Sequence, residues 1–222
     1  MSRGDERPLV HAIASVVLRY PETDAMRGRA DLVALAGASP AGPAGDALRP
    51  FLAWWAAEDP TALQAAYVET FDLHRRCSLY LSYYLYGDRR QRGQEFVRLK
   101  RLYEAAGLRL AGRELPDYLP LLLEFAALEP VTGAAILSDF RVALELLRAA
   151  LADADSPWSA VVETVCAGLP ALDDAGRAVV RRLAAEGPPV EQVGLEPYGP
   201  PEAMPAPAPA GNPGRTPGAG VR

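Results

Sequence analysis

The stretch that decides the reading is Tyr67-Val-Glu-Thr-Phe-Asp-Leu-His-Arg-Arg-Cys-Ser-Leu-Tyr-Leu-Ser-Tyr-Tyr-Leu-Tyr-Gly-Asp88. It holds Tyr67, Tyr80, Tyr83, Tyr84 and Tyr86, out of nine tyrosines in the chain. It sets an acidic pair, Glu69 and Asp72, just ahead of a basic pair, Arg75 and Arg76. Leu63, Tyr67 and Phe71 mark one helical stripe. The spacing then predicts a bend between Asp72 and Arg75 and a further helix to about Tyr86, stopped by Gly87 in a left-handed conformation. In that helix Arg76, Tyr80 and Tyr83 share a face at steps of four and three, and Cys77, Leu81 and Tyr84 share the next. Tyrosines on several faces have two outcomes. Their hydroxyls bond to neighbouring helices, or they rim a groove with apolar walls suited to an amphipathic peptide helix.

The second dense segment is Glu114-Leu-Pro-Asp-Tyr-Leu-Pro120. Pro116 and Pro120 stiffen the start of a helix that continues through Phe125, and Asp117 is placed to cap it. Glu114 lies ahead of that helix, and Tyr118 can donate or accept a hydrogen bond. These two segments are expected to meet in space and to form a surface for another protein.

The rest of the chain reads as helices. Alanine and leucine dominate, and prolines and glycines fall between periodic runs, which predicts an all-α fold, one multi-helix bundle. Residues 1–7 read as a flexible arm and 8–187 as the helical domain. Pro8 opens a first helix that ends at Pro21, and a second runs from about Thr23 or Asp24 to Ala36. Residues 39–45 read as a connection, and the third helix starts near Asp46. Asp59 with Pro60 restarts the chain. Asp88 can cap a helix that runs to about Ala106, where Gly107 ends it. Pro130 closes the helix begun near Pro116. Leu137, Phe140, Leu144, Leu147 and Leu151 then alternate steps of three and four along one helix. Ser156 with Pro157 caps the next, and the last spans about Asp174 to Glu186. Residues 188–200 read as an extended segment that could dock on the body, and 201–222 as a disordered Pro/Ala/Gly-rich tail.

Composition excludes several function classes. The net charge is −5, which opposes sequence-independent nucleic-acid binding. A local basic run, Arg89, Arg90, Arg92, Arg98, Lys100 and Arg101, keeps one alternative open: a helical nucleic-acid-binding regulator. Cys77 and Cys166 lie far apart in no metal-ligand spacing and read as reduced core thiols. The two histidines, His11 and His74, make no catalytic set with any spacing logic, and no glycine-rich phosphate loop follows a strand. No catalytic residue, metal site or cofactor is expected. The polar start of the chain does not resemble a signal peptide, and no run approaches the ~20 apolar residues of a membrane span, so the chain is expected to be cytoplasmic and not membrane-inserted.

The blocks Tyr67-Val-Glu-Thr-Phe-Asp72, Arg75-Arg-Cys-Ser-Leu-Tyr-Leu-Ser-Tyr-Tyr84, Gly87-Asp88 and Glu114-Leu-Pro-Asp-Tyr-Leu-Pro-Leu-Leu-Leu-Glu-Phe125 resemble the NarJ family. These are molybdenum-cofactor assembly chaperones of respiratory nitrate reductase, within the wider TorD-like group of redox-enzyme maturation proteins. The match runs from about residue 8 to about residue 197. The resemblance implies an all-helical chaperone of nitrate assimilation, not an enzyme. Its client would be the apo alpha subunit of nitrate reductase, bound at its N-terminal segment and its body. It would hold the client ready for cofactor insertion before membrane docking. In the wider group an acidic residue followed by histidine in the proline-containing loop is implicated in client recognition. Those positions look like Asp117 and Tyr118, and the tyrosine departs from the wider pattern. The client-binding set is therefore expected to be Tyr67, Glu69, Asp72, Arg75, Arg76, Tyr80, Tyr83, Tyr84, Glu114, Pro116, Asp117 and Tyr118. Arg75 and Arg76 pair either with client carboxylates or with Glu69 and Asp72. Self-association is open between monomer and weak homo-oligomer.

Overall fold

The structure, a computed structural model, describes residues 6–22, 26–38, 43–87, 90–110, 112 and 114–187. The expected arm up to residue 5, the start of the second helix at Thr23 or Asp24, most of the 39–45 connection, Asp88 as a cap, Arg89 and the whole 188–222 segment lie outside the described residues.

Eleven α-helices are present among the described residues: α1 (Arg7–Val17), α2 (Arg29–Ala38), α3 (Pro43–Ala57), α4 (Pro60–Tyr67), α5 (Leu81–Tyr86), α6 (Arg90–Ala105), α7 (Leu119–Leu128), α8 (Pro130–Asp139), α9 (Arg141–Asp153), α10 (Ser159–Ala167) and α11 (Asp174–Glu186). No strand occurs among them, so the all-α expectation holds. α1 lies along α7 and also touches α10, while α9 runs between α10, α11 and α5. The core between them is leucine-rich: Leu18, Leu63, Leu99, Leu119, Leu123, Leu144 and Leu147 are fully buried.

Several helix starts follow local chemistry. Asp59 caps α4 by accepting from the amides of Thr61 at 2.9 Å and Ala62 at 3.1 Å. Asp173 caps α11 through Gly176 at 2.7 Å. Gly87 ends α5 at φ 55, a backbone that side chains with a Cβ rarely adopt.

Four expectations are corrected. The helix expected from the bend to Tyr86 is not continuous. Its first part is a 3-10 turn, Arg75–Cys77, followed by extended backbone, and only Leu81–Tyr86 is α-helical. Arg76 and Tyr80 therefore do not share a helical face with Tyr83. Pro130 does not simply close a helix. It opens α8, where its missing N–H costs nothing. The leucine seam from Leu137 to Leu151 is buried as expected, but it is split between α8 and α9 by a turn at Phe140, whose φ of −90 and ψ of 12 leave the helical region. Ser156 does not cap α10 with its side chain. Its carbonyl accepts from Ser159 at 3.0 Å instead.

Two aromatic and glycine contacts fix the helix packing. Trp158 is fully buried and donates its indole N–H to the carbonyl of Val17 at 2.8 Å, which satisfies an orphan carbonyl at the end of α1. Its ring meets Phe51, Trp54, Tyr67 and Phe71. Gly133 in α8 faces Ala126 in α7 so closely that a Cβ would stand 2.2 Å from the Ala126 Cα. Gly133→Ala must therefore separate α7 from α8. The expected cost is about 2–3 kcal/mol, read as a lowered midpoint in urea unfolding. An unchanged midpoint would show that the two helices do not approach as described.

Candidate functional site

The two dense segments meet. Leu81 N donates to the Asp117 carbonyl at 3.1 Å, and Leu119 N donates to the Leu79 carbonyl at 2.8 Å. The pair forms an isolated antiparallel bridge between Tyr80 and Tyr118, whose rings lie 5.3 Å apart. Asp117, at 0% exposure, reaches across this bridge. Its Oδ2 accepts from the Ser82 amide at 3.2 Å and from the Ser82 hydroxyl at 2.5 Å. Asp117 was expected to cap the helix it precedes. It caps the opposite one, because α7 starts only after Tyr118 and the open amides of α5 point at the carboxylate. Arg92 of α6 approaches the same Oδ2 at 3.7 Å, donates to the Ser82 hydroxyl at 3.2 Å and lies over the Phe96 ring.

Burial holds the Asp117 carboxyl above the ordinary carboxylate range, against the opposing pull of Ser82 and Arg92. Its Oδ1 has no hydrogen-bond partner among the described residues. Burial likewise raises the Tyr67, Tyr80 and Tyr84 hydroxyls, so all three stay protonated donors at neutral pH.

The other expected residues divide into those inside and those at the surface. Tyr84 is 6% exposed and donates to the carbonyls of Arg76 at 2.6 Å and Ser78 at 3.0 Å, tying the 3-10 turn to α5. Tyr67 is buried, donates to Leu18 O at 3.1 Å and lies 3.4 Å from the Tyr118 hydroxyl. Pro116 is buried, with its carbonyl accepting from Tyr103 at 2.8 Å. These residues and Asp117, expected among the client-binding set, lie buried beneath the surface. Tyr80, Tyr83 and Tyr118 are half-buried, and Glu69, Asp72, Arg75, Arg76 and Glu114 are exposed. Tyr80 donates to Glu114 Oε1 at 2.8 Å.

Val68–Asp72 forms a π-helical turn, a widened coil that recurs at functional sites. His74 Nδ1 lies 2.6 Å from the Glu69 carbonyl and closes this turn. Glu69 and Asp72 make no ion pair with Arg75 or Arg76 within 4.0 Å among the described residues. The basic run is not one free patch either, since Arg92 is held at Asp117 and Arg98 pairs with Glu95 and Asp139.

Two clefts flank the Tyr80–Tyr118 bridge and share Tyr20 and Tyr118 as a common wall. One, of about 670 Å³, has Val16, Leu110, Leu121 and Phe125 among its walls and carries Glu22, Glu114 and Glu124. The other, of about 630 Å³, is lined by Phe71, Asp72, Arg75, Tyr83 and Arg92 among others. Leu128 is exposed at the first cleft, and Leu73, 71% exposed, follows Asp72 at the second. Tyr20, Phe71, Ser82 and Arg92 were not singled out from sequence as parts of one site. Phe71 and Ser82 fall in the Tyr67–Asp88 stretch and Arg92 in the basic run, but no spacing joined them to one another or to Tyr20. No group of three or more His, Cys, Asp or Glu that could hold a metal occurs among the described residues, and no described helix is long and apolar enough to cross a membrane.

A family model described as the nitrate reductase delta subunit matches residues 38–163. The chain belongs to this family. Among delta-subunit relatives, the probable nitrate reductase molybdenum cofactor assembly chaperone NarJ of Bacillus subtilis is 31% identical over 74% of this chain and 90% of its own length. The corresponding chaperone NarJ of Escherichia coli is 38% identical over 68% of this chain and 65% of its own length. The nitrate reductase-like protein NarX of Mycobacterium tuberculosis is 37% identical over 73% of this chain, but the match spans only 24% of NarX. This chain also shares its fold with a protein from Archaeoglobus fulgidus described as a redox enzyme maturation protein, at a TM-score of 0.57 and 23% identity over 75% of this chain and 95% of that one.

Two consequences can be measured. Tyr84→Phe should cost about 1 kcal/mol in urea unfolding by removing its bonds to the part-buried carbonyls of Arg76 and Ser78, and it should leave partner affinity unchanged; a lost partner with intact stability would return Tyr84 to the contact face. For Asp117, a carboxyl raised on folding holds its proton more tightly in the folded state. Folding stability therefore falls as pH rises from the unfolded carboxylate value of about 3.9 through the raised folded value. Asp117→Asn has no proton to lose there. The stability of wild type relative to Asp117→Asn should decline with rising pH across that window, and a flat or rising difference would contradict the buried carboxylate.

Proposed function

We propose that this chain is a dedicated chaperone of the respiratory nitrate reductase catalytic (alpha) subunit. It binds the apo subunit, including its N-terminal segment, and holds it competent for molybdenum cofactor insertion before membrane docking. The observation that carries this reading is the clasped bridge with its two clefts. It presents half-buried tyrosines and exposed leucines side by side in a chain of the delta subunit family. The names of the relatives from B. subtilis and E. coli support the maturation role.

The chemistry is recognition, without a catalytic step. Tyr80, Tyr83 and Tyr118 supply rigid aromatic area with polar tips, the type of side chain that dominates binding energy at interfaces. Glu69, Asp72, Arg75, Arg76 and Glu114 rim that area and set which partners are attracted or repelled. Tyr67, Tyr84, Pro116 and Asp117 hold the face in shape from below. Maturation is shifted only if the chaperone prefers the unfinished subunit to the finished one. Such a protein works in the cytoplasm, where the subunit is still apo, and leaves before membrane docking.

Co-expression of the full chain with the apo catalytic subunit should give a complex that survives purification, while cofactor-loaded subunit binds more weakly. Tyr83→Ala should weaken apo-subunit binding about tenfold in a titrated pull-down with an unchanged circular dichroism spectrum. Equal affinity for apo and loaded subunit, or none for either, would defeat the reading.

A further inference from the structure

The two clefts differ in chemistry. The first places three carboxylates, Glu22, Glu114 and Glu124, around an apolar floor against two arginines, exposed Arg109 and Arg19, whose guanidinium is already engaged by Glu124. The second reverses the balance. Arg75 and Arg92 line it, and Asp72 is the carboxylate among its described lining residues. Arg75 is exposed and makes no ion pair among the described residues. The Tyr83 and Tyr20 hydroxyls, which also line this cleft, make no hydrogen bond among the described residues. Arg92 is fixed from behind by Asp117, Ser82 and Phe96, so its guanidinium is already oriented before anything arrives, with its side chain 19% exposed. A concave surface that collects donors and few acceptors matches an acceptor-rich anionic group.

We propose that this second cleft is an anion site that takes a carboxylate side chain of the client segment, with Arg75 and Arg92 as its cationic walls and Tyr83 as a hydroxyl donor. The inference rests on the chaperone reading and adds a polarity to it. The segment lies with an acidic residue between Arg75 and Arg92 and its basic residues towards Glu22 and Glu114. A phosphate-bearing small molecule would offer the same oxygens. The surroundings favour a peptide. Phe71 and Leu79 line the cleft, exposed Leu73 adjoins it, and Tyr20 and Tyr118 join it to the apolar cleft next door, a span that a lone anion would leave unused.

The test uses the full chain and overlapping synthetic peptides tiled from the start of the apo catalytic subunit, titrated by calorimetry. A peptide with one Asp or Glu that binds wild type should lose about tenfold in affinity when that residue becomes Lys, and Arg75→Glu should lose about as much against the original peptide. Combining Arg75→Glu with the Lys peptide should recover most of the loss, which non-specific damage would not do. Lys100→Glu, the same charge change on the outer face of α6, should leave affinity unchanged. Because Arg75 is exposed and makes no ion pair among the described residues, its replacement should leave the circular dichroism spectrum intact. If the peptide binds wild type but neither substitution alters Kd, the carboxylate assignment is wrong and the chaperone reading stands. If inorganic phosphate binds in an Arg75-dependent way while the peptide's acid is irrelevant, the anion is a small molecule and the assignment is again wrong. If no peptide and no apo subunit binds wild type, the chaperone reading itself has failed.

Discussion

The site depends on a very small piece of β-like pairing in a helical protein. Two amides and two carbonyls, on Leu79, Leu81, Asp117 and Leu119, join segments that are far apart in sequence. Extended backbone on both sides of the bridge leaves those groups without helical partners, and buried backbone groups must be paired. The pairing sets the spacing of Tyr80 and Tyr118, and with it the wall that both clefts share. Were α5 to begin at Arg75, as periodicity suggests, these residues would be helical and no bridge could form.

Asp117 makes the bridge selective. Burying a carboxylate is expensive unless it is hydrogen-bonded and paired, and removing one partner leaves the other stranded. Here the Ser82 amide and hydroxyl and the Arg92 guanidinium converge on a single oxygen. The arrangement ties α5, α6 and the loop before α7 to one point, so a change in any of them is felt by the others. The same burial leaves Asp117 without exposed surface, in keeping with the positioning role proposed for it.

Much of this was legible in the sequence, for identifiable reasons. The all-α class followed from spacing and punctuation, because proline, glycine and capping carboxylates act locally, as Asp59 and Gly87 do. The meeting of residues 67–88 with 114–120 was expected and found. Misreadings arose where a tertiary contact overrides a local signal. Asp117 has a capping residue's sequence context, yet a neighbouring helix offers its amides instead. Tyr84 looked like contact area, but its hydroxyl had two carbonyls within reach in its own segment. Phe140 continues a flawless heptad-like seam and still breaks it, and no residue type at that position announces the turn. Arg92 looked like part of a charge run because only the fold brings Asp117 to it.

The bond from Trp158 to Val17 spans 141 residues. Its carbonyl sits at the end of α1, while the indole stands just ahead of α10. At synthesis rates of about 5–20 residues per second, roughly ten seconds separate the two. Until α7 and then α10 have been made, α1 lacks the helices that cover its apolar side, so the nascent chain carries an uncovered sticky helix for much of its synthesis. A protein of this topology is thus itself a vulnerable client while it is being made, and shortening it from the C-terminal side as far as Trp158 would leave that helix permanently without its latch.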